Sequence, residues 1–198
     1  MLTPEVYRAA FQVALPYPAY LETAKPHERS NWQQFDARVS LSAAQQATIG
    51  GFERRLNVLV ISGTWCGDCV QQVPILAAIA ATFPAHDLDG RDPGIDLRVM
   101  DRDLHDSFTQ HFSICGGRRV PMVIFLNEDF DFVALAGDRT LARYRRMAEV
   151  KLGAACPLPG APVPTDEVAA VTAEWMDQFE RVALMLRLST KLRQRHDD

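Results

Sequence analysis

The sequence predicts an α/β domain, because apolar runs of strand length alternate along the chain with segments of helix length. Residues 57–62 and 120–126 are rich in β-branched side chains and too continuous for half-exposed strands, which predicts two buried central strands. Residues 95–100 alternate as a third strand, and residues 130–135 return as a hairpin partner. We therefore expect a βαβ unit followed by a hairpin and a helix.

Helices are predicted between and after these strands. The apolar, alanine-rich stretch from Val70 to Phe83 is long enough for a helix, and Pro74 is expected to kink it. Leu141 to Leu152 is predicted to form the helix after the hairpin. Further helices are expected at 4–15, 42–47, 104–112 and 165–193.

The chain has 198 residues, a length that suits one domain with additions or two small domains. Its Gly/Pro-rich stretch at 153–164 is typical of a linker. We predict an N-terminal helical extension at 1–55, an α/β domain at 56–152, this linker, and a C-terminal amphipathic helix at 165–198.

Composition argues against several classes of partner. The net charge is −4 and no long basic run is present, so nucleic acid and anionic membranes are poor candidates. No stretch approaches the roughly 18 uninterrupted apolar residues of a membrane span. The N-terminus lacks the pattern of a secretory signal, and four cysteines are too few for a disulfide scaffold, so we expect a reducing, cytoplasmic setting.

Cys66 and Cys69 are separated by two residues at the junction between the first buried strand and its helix. A pair with this spacing can close a small disulfide ring. Unpaired backbone N–H groups and the dipole at a helix start stabilise an anion, which lowers a thiol pKa from about 8.5 toward about 7 or below. Cys66 is therefore expected to be the attacking nucleophile, and Cys69, one turn inside the helix, to resolve the mixed disulfide.

Two other interpretations of the pair stay open at this point. Half of a zinc site would supply two thiolates, but closed zinc sites need four ligands, and the other cysteines and the nearby histidines are isolated. An inert buried pair is the other interpretation, against which the polar Gly67-Asp68 dipeptide argues. The sequence thus favours redox chemistry without a metal or organic cofactor. The isolated side chains are Cys115, Cys156, His86, His105 and His111.

The residues around the pair form a longer pattern. An aromatic residue precedes the first cysteine, a proline follows five residues after the second, a Val-Pro dipeptide precedes the later buried strand, and a glycine follows the hairpin. With this order and spacing, residues 56–152 resemble the thioredoxin family. The resemblance implies a thioredoxin-like fold, a central mixed sheet flanked by helices, here with extra helices at both ends. The residues that carry it are Trp65, Pro74, Val120-Pro121 and Gly137.

The resemblance also implies roles for individual residues. Pro121 would be cis and face the cysteines, and the backbone of Val120 would pair with substrate in an extended, strand-addition manner. Trp65 would belong to the contact surface, and a packing role is the equally weighted alternative. Gly67 and Asp68 complete the motif between the cysteines.

Three positions depart from the family pattern. Val60 stands where the family has a buried acid that helps to deprotonate the resolving cysteine, so resolution should be slow near neutral pH and quicken as the pH rises. Asp68 replaces the usual proline, and its carboxylate should oppose thiolate formation. Arg119, beside Arg118, replaces a small residue; the two should favour the thiolate and attract acidic partners, or form a solvated loop.

Two features outside the pair carry further predictions. Cys115 lies on a loop expected to approach the cysteines and is a candidate third redox thiol, with a packing role as the alternative. The last helix bears an apolar stripe at three- and four-residue spacings, which predicts docking on its own domain or, alternatively, contact with another molecule through a homodimer contact or a partner-binding face. The stripe consists of Val168, Val171, Trp175, Phe179, Val182 and Leu186.

These observations predict a cytoplasmic thiol–disulfide oxidoreductase that exchanges electrons between its dithiol and disulfide-containing proteins or small molecules. A thiol electron donor that the sequence does not identify would return the electrons. A partner-binding scaffold that keeps the fold without turnover is the alternative, supported by Val60, and a zinc-binding protein is a third interpretation.

Overall fold

A computed structural model describes residues 2–85, 92–152 and 165–197 of the chain. Five strands form one sheet, which helices flank. The strands are β1 (Leu15–Pro16), β2 (Arg55–Ser62), β3 (Gly94–Asp101), β4 (Met122–Leu126) and β5 (Phe132–Gly137). The helices are α1 (Pro4–Val13), α2 (Tyr17–Glu22), α3 (Pro26–Asp36), α4 (Ala43–Gly50), α5 (Gly67–Thr82), α6 (Asp106–Thr109), α7 (Leu141–Leu152), α8 (Glu167–Leu188) and α9 (Thr190–His196).

Strand β2 lies at the centre of the sheet, whose order is β1-β3-β2-β4-β5. It runs parallel to β3 and antiparallel to β4, so the sheet is mixed, as the resemblance implies. Val60 of β2 lies opposite Val99 on one side and Val123 on the other. All residues of β2 are buried, which explains why its central run, residues 58–61, is continuously apolar rather than alternating.

The predicted strands are confirmed with shifted ends, and two of the shifts have a clear physical reason. Strand β4 begins only after Pro121, because a proline has no N–H to donate to the sheet. Strand β5 begins at Phe132 rather than at Phe130, whose φ of 67° is incompatible with a strand. The helix predicted at 104–112 is confined to the short α6.

Four helices precede the central strand, and two of them were not predicted. The prolines that end α1 also start the next helix, since Pro18 occupies the first turn of α2, where its missing N–H costs nothing. Pro26 begins α3 in the same way. Most side chains of α3 are polar, so its helical periodicity is weak, yet Trp32 is fully buried beneath it. Tyr20 of α2 packs edge-on against Trp32, with ring centroids 5.9 Å apart.

The C-terminal apolar stripe packs on the chain's own core. Phe179 of α8 contacts Phe125 of β4 edge-on, with centroids 5.3 Å apart. The stripe is therefore occupied within the chain, which is the first of its two predicted roles. The prediction of a single helix to residue 193 is wrong, because Ser189 ends α8 and caps α9 through a hydrogen bond from Leu192 N to its hydroxyl. The stripe residues buried below a tenth are Val171, Trp175, Phe179, Val182 and Leu186.

One hydrophobic core joins the segments on either side of the sheet domain. Tyr7 and Phe11 of α1, Trp32 of α3 and Phe179 of α8 belong to the same buried cluster as the central strands. The predicted division at residues 55 and 153 thus separates segments that share a core, and the predicted linker lies outside the described residues. In the described ranges, no helix has both the length and the apolar character that crossing a bilayer requires.

Candidate active site

The turn between β2 and α5 brings Cys66 to the start of the helix. The backbone N–H of Cys66 donates to the carbonyl of Gly63 at 3.0 Å, which closes the turn. A side chain at Gly63 would place a Cβ atom 2.7 Å from the ring of Trp65. Glycine is therefore required for the indole to lie against this turn, and the indole remains half exposed at the mouth of the site.

Cys66 caps the N-terminus of α5 and is 9% exposed. Hydrogen bonds from the Cys69 thiol, and then from the backbone N–H groups of Cys69 and Asp68, lower the pKa of Cys66 to about 7 against the opposing effect of burial. The helix start therefore acts on this sulfur as the sequence analysis expects. In its protonated form Cys66 donates to the carbonyl of Val120, 3.5 Å away.

Cys69 lies one turn further along α5 and is fully buried. Burial raises the pKa of Cys69 well above the usual value of a thiol, and the neighbouring Cys66 sulfur raises it further. The Ser62 hydroxyl and the Gly63 backbone N–H act in the opposite direction. The two cysteines thus differ in both accessibility and acidity, although only two residues separate them.

The Val120–Pro121 segment faces Cys66, and its peptide bond is cis, as the resemblance implies. Gly137 at the end of β5 packs against this segment. A Cβ atom on Gly137 would lie 2.5 Å from the carbonyl oxygen of Pro121, and the residue has a φ of +144° that only glycine adopts easily. The close approach explains why a glycine is needed at the end of the hairpin.

Arg102 lies beside Trp65 at the mouth of the site. Its guanidinium lies 4.6 Å from the centre of the Trp65 ring and pairs with Asp103 at 2.8 Å. The pKa of Arg102 is raised first by the hydrogen bond with Asp103, and the charges of Asp101 and Cys66 add to this effect. Arg102 was not predicted, although it directly follows β3, a parallel neighbour that ends at the same edge of the sheet as β2.

The expectation that Arg118 and Arg119 favour the Cys66 thiolate is corrected. Arg118 pairs with Asp106 at 2.5 Å, and Arg119 pairs with Asp138 at 3.2 Å. Neither guanidinium is among the groups that shift the pKa of Cys66. Both therefore lie in a loop with their charges balanced by aspartates of the same chain, and Arg119 remains at the rim of the site.

Asp68 opposes the Cys66 thiolate, as expected, but only weakly. Its carboxylate raises the pKa of Cys66, but this is the smallest of the effects on that thiol. The reason is that Asp68 forms ion pairs with Arg139 at 2.5 Å and with Arg143 at 3.0 Å. Arg143 also pairs with Glu167 of α8. The negative charge inside the motif is thus compensated by two arginines that are more than 70 residues distant in sequence.

Helix α3 holds the other side of the motif. The indole N–H of Trp32 donates to the carbonyl of Thr64 at 2.9 Å, and the Thr64 hydroxyl donates to the carboxylate of Glu28 at 2.7 Å. Glu28 is 8% exposed. Thr64 directly precedes Trp65, so two side chains of a helix that the sequence analysis did not predict fix the approach to the nucleophile.

Cys115 is exposed and has a φ of 50°, in a tight turn closed by hydrogen bonds between Ile114 and Gly117. Among charged groups, Arg119 interacts with it. Cys156 and His86 lie outside the described residues. Across 2–85, 92–152 and 165–197, no three His, Cys, Asp or Glu side chains are grouped as a metal site would require.

A comparison with known proteins finds a matching protein family and two similar structures. The model of a protein family described as Thioredoxin matches residues 14–143. No curated protein sequence matches the chain. A crystal structure of a protein of unknown function from Pseudomonas aeruginosa is similar, with a TM-score of 0.63 and 16% identity over 87% of this chain and 93% of that one. A crystal structure of an HIV epitope scaffold has a TM-score of 0.57 and 18% identity over 91% of this chain and 94% of that one. At these identities the likeness concerns the fold.

Proposed function

Because the chain belongs to the thioredoxin family, we propose that it is a thiol–disulfide oxidoreductase whose Cys66/Cys69 dithiol reduces disulfides in proteins or small molecules. The observation that carries the proposal is the opposite direction of the two pKa shifts, to about 7 for Cys66 and well above the usual value for Cys69. One thiol is thus ready to attack near neutral pH, while the other keeps its proton until a mixed disulfide forms.

The reaction has two exchange steps. The Cys66 thiolate attacks one sulfur of the substrate disulfide, which forms a Cys66–substrate bond and breaks the substrate S–S bond; the departing thiolate takes up a proton. Cys69 then loses its proton and attacks the Cys66 sulfur, and the second substrate sulfur departs and is protonated. The protein dithiol is oxidised to a disulfide, and the substrate disulfide is reduced to two thiols.

The surroundings of Cys66 support a disulfide in an extended segment as substrate. The sulfur is reached between the exposed indole of Trp65 and the Val120–Pro121 segment. We propose that substrate backbone lies along Val120, where it adds to the protein in an extended conformation. Arg119, at the rim of the site, would contact the substrate. Its positive charge is already paired with Asp138.

We further propose that the protein works in a reducing, cytoplasmic setting, where a thiol donor restores the dithiol. Its reduction potential should lie between about −270 and −200 mV, the range of thioredoxins and glutaredoxins. Equilibration with glutathione buffers measures this value. A potential near −120 mV would instead indicate an oxidant and would contradict a reductive role.

Mass spectrometry of the reduced protein, mixed with a peptide that contains one disulfide, tests the proposed function. The wild-type protein should reduce the peptide and end with a Cys66–Cys69 disulfide. The Cys69→Ser variant should stop as a mixed disulfide on Cys66, and Cys66→Ser should leave the peptide oxidised. A wild-type protein that leaves the peptide oxidised would favour a partner-binding scaffold.

Experiments on the wild-type protein and its cysteine variants can also determine the roles of the individual thiols. Alkylation near neutral pH should label Cys66 well before Cys69, and equal rates would contradict the assignment of the nucleophile. A slower reaction of Cys115→Ser would show that Cys115 takes part as an accessory thiol, whereas unchanged kinetics would leave it a loop residue.

A further inference from the structure

Cys69 must become a thiolate at a buried position where the sheet offers few polar groups. Side chains on a strand alternate between the two faces, so Val58, Val60 and Ser62 of β2 share one face. Two of these side chains are apolar. Ser62, the last residue of the strand, is fully buried and carries the only hydroxyl that this face of β2 presents.

The Ser62 hydroxyl lies in a small polar group around the Cys69 sulfur. Ser62 interacts directly with that sulfur, and the Tyr20 hydroxyl of α2 faces the Ser62 hydroxyl. Tyr20 is 1% exposed. Within the described residues, neither hydroxyl completes a hydrogen bond of normal length and angle. A buried hydroxyl without a full partner is costly and rare, so two of them beside one thiol call for an explanation.

We propose that the Ser62 hydroxyl, supported by Tyr20, is the hydrogen-bond donor that stabilises the Cys69 thiolate during resolution of the mixed disulfide. The proposal rests on the proposed function and adds a catalytic residue to it. In the thiol form, Cys69 donates its hydrogen to Cys66 and leaves the Ser62 donor without an acceptor. In the thiolate form, the sulfur accepts from Ser62 and from the Gly63 N–H, and the Tyr20 hydroxyl donates to Ser62 Oγ.

Proton balance is preserved in this step. Cys69 loses its proton to solvent, the S–S bond to substrate breaks as the Cys66–Cys69 bond forms, and the departing substrate thiolate takes up one proton. Ser62 keeps its own proton throughout, because a hydroxyl here acts as a donor to the sulfur and not as a base. Its contribution is to lower the free energy of an anion in a buried place.

The charged side chains near Cys69 are engaged with other groups, which is why we assign the stabilisation of the thiolate to Ser62. The titratable groups near Cys69 are Cys66, which precedes α5, and Tyr20 on α2. Asp101 of β3 acts on Tyr20, and its carboxylate accepts hydrogen bonds from the backbone of the following turn. Asp68, although inside the motif, is engaged in ion pairs with two arginines.

Stopped-flow reaction with 5,5′-dithiobis(2-nitrobenzoate) tests the proposal in a Cys115→Ser/Cys156→Ser background. Attack by Cys66 releases the first thionitrobenzoate, and resolution by Cys69 releases the second. We expect Ser62→Ala to slow the second phase about tenfold near pH 7, which corresponds to a rise of about one unit in the pKa that governs it. The first phase should change less than twofold, and the second-phase rates of the two proteins should converge at high pH.

Two further variants keep the test decisive. Ser62→Thr retains the hydroxyl and should keep the wild-type pH profile of the second phase. Tyr20→Phe should shift the profile in the same direction as Ser62→Ala, but by less. An unchanged second-phase profile in Ser62→Ala would overturn the inference while the proposed function stands. If the background protein shows no second phase at any pH, the proposed function itself fails.

Discussion

The two sides of the cysteine motif are held by different kinds of interaction. On the N-terminal side, Thr64 is fixed by the buried Trp32 and Glu28 of α3 through two hydrogen bonds. On the C-terminal side, Asp68 is held by Arg139 and Arg143 through ion pairs. The first anchor is packed into the core, whereas the arginine side chains of the second are about one-fifth exposed.

Because of this difference, we expect the two sides to control different properties of Cys66, namely its position and its acidity. Breaking a buried hydrogen bond leaves an unsatisfied group, so the α3 anchor should matter mainly for stability and for the position of the turn. Partly exposed ion pairs are worth less and are screened by salt, so the arginine anchor should matter mainly for the charge that Cys66 experiences. We infer that the N-terminal side places the nucleophile and the C-terminal side adjusts its acidity.

The largest expected effect comes from the N-terminal anchor. Trp32→Ala should lower the free energy of unfolding by about 3–5 kcal/mol, because it empties a fully buried site and removes the donor to Thr64. Urea unfolding measures the loss. Trp65→Ala is the matched control, since that indole is half exposed, and it should cost less than about 1 kcal/mol. Equal losses would contradict the view that α3 carries the anchor.

Glu28→Gln tests the same anchor through pH. The hydrogen bond from Thr64 is the main cause that lowers the pKa of Glu28 below its ordinary value of 4.5. A lowered carboxyl pKa gives stability that is present above the ordinary value and is lost as the pH falls through the folded-state value. The variant should therefore be less stable by about 1–2 kcal/mol at pH 6–7, and the difference should shrink below pH 4.5.

A control for this prediction lies in the preceding helix. Glu22 pairs with Arg29 through a carboxylate whose side chain is largely exposed, so Glu22→Gln should change stability by less than about 0.5 kcal/mol. A difference for Glu28→Gln that stays constant from pH 3 to pH 7 would show that shape, and not the charge of the carboxylate, holds Thr64.

A substitution of Asp68, the charged residue inside the motif, tests the C-terminal side. Asp68→Asn removes the carboxylate that raises the pKa of Cys66 and takes one acidic partner from each of two nearby arginines, which keep Asp138 and Glu167. The pKa of Cys66 should fall below about 7 by about half a unit to one unit. The pH dependence of Cys66 alkylation, followed by peptide mass spectrometry, gives the value. Asp177→Asn, on an exposed position of α8, should leave it unchanged.

The two sides also differ in how far sequence could predict them. The strands at 57–62 and 120–126 are predictable because complete burial produces continuous apolar runs, and the position of Cys66 follows from the strand-to-helix junction. Helix α3 escapes prediction because few of its residues face the core, Trp32 among them. Two buried aromatic side chains, Trp32 and Phe35, in an otherwise polar segment give only weak periodicity.

The electrostatics of the site are even harder to predict from the sequence. Asp68 meets Arg139 and Arg143 across 71 and 75 residues, a distance that no local pattern encodes, so sequence alone assigns the carboxylate an unopposed charge. Ser62 is different, because its place two residues after Val60 puts it on the same strand face by simple alternation. That signal is present in the sequence, and a search for polar residues in phase with Val60 would have found it.

The smallest expected effect comes from Arg143, whose side chain pairs with Asp68 at 3.0 Å and with Glu167. Arg143→Met keeps most of the packing of the stem and removes only the charge. Asp68 would stay paired with Arg139, so the pKa of Cys66 should rise by only a few tenths of a unit, opposite in sign to the change in Asp68→Asn.

Salt and a second substitution make this small effect measurable. At about 1 M salt the screening length is about 3 Å, so the difference between Arg143→Met and wild type should shrink. Replacing both Arg139 and Arg143 with Met exposes the full charge of Asp68 and should roughly double the rise. Arg187→Met, which removes a pairing with Glu53 away from the motif, is the control and should leave the pKa of Cys66 unchanged. If the double variant lowers the pKa of Cys66 or leaves it constant, the two arginines do not set the acidity of the nucleophile. The inference that the N-terminal side of the motif positions Cys66 while the C-terminal side adjusts its pKa would then be wrong.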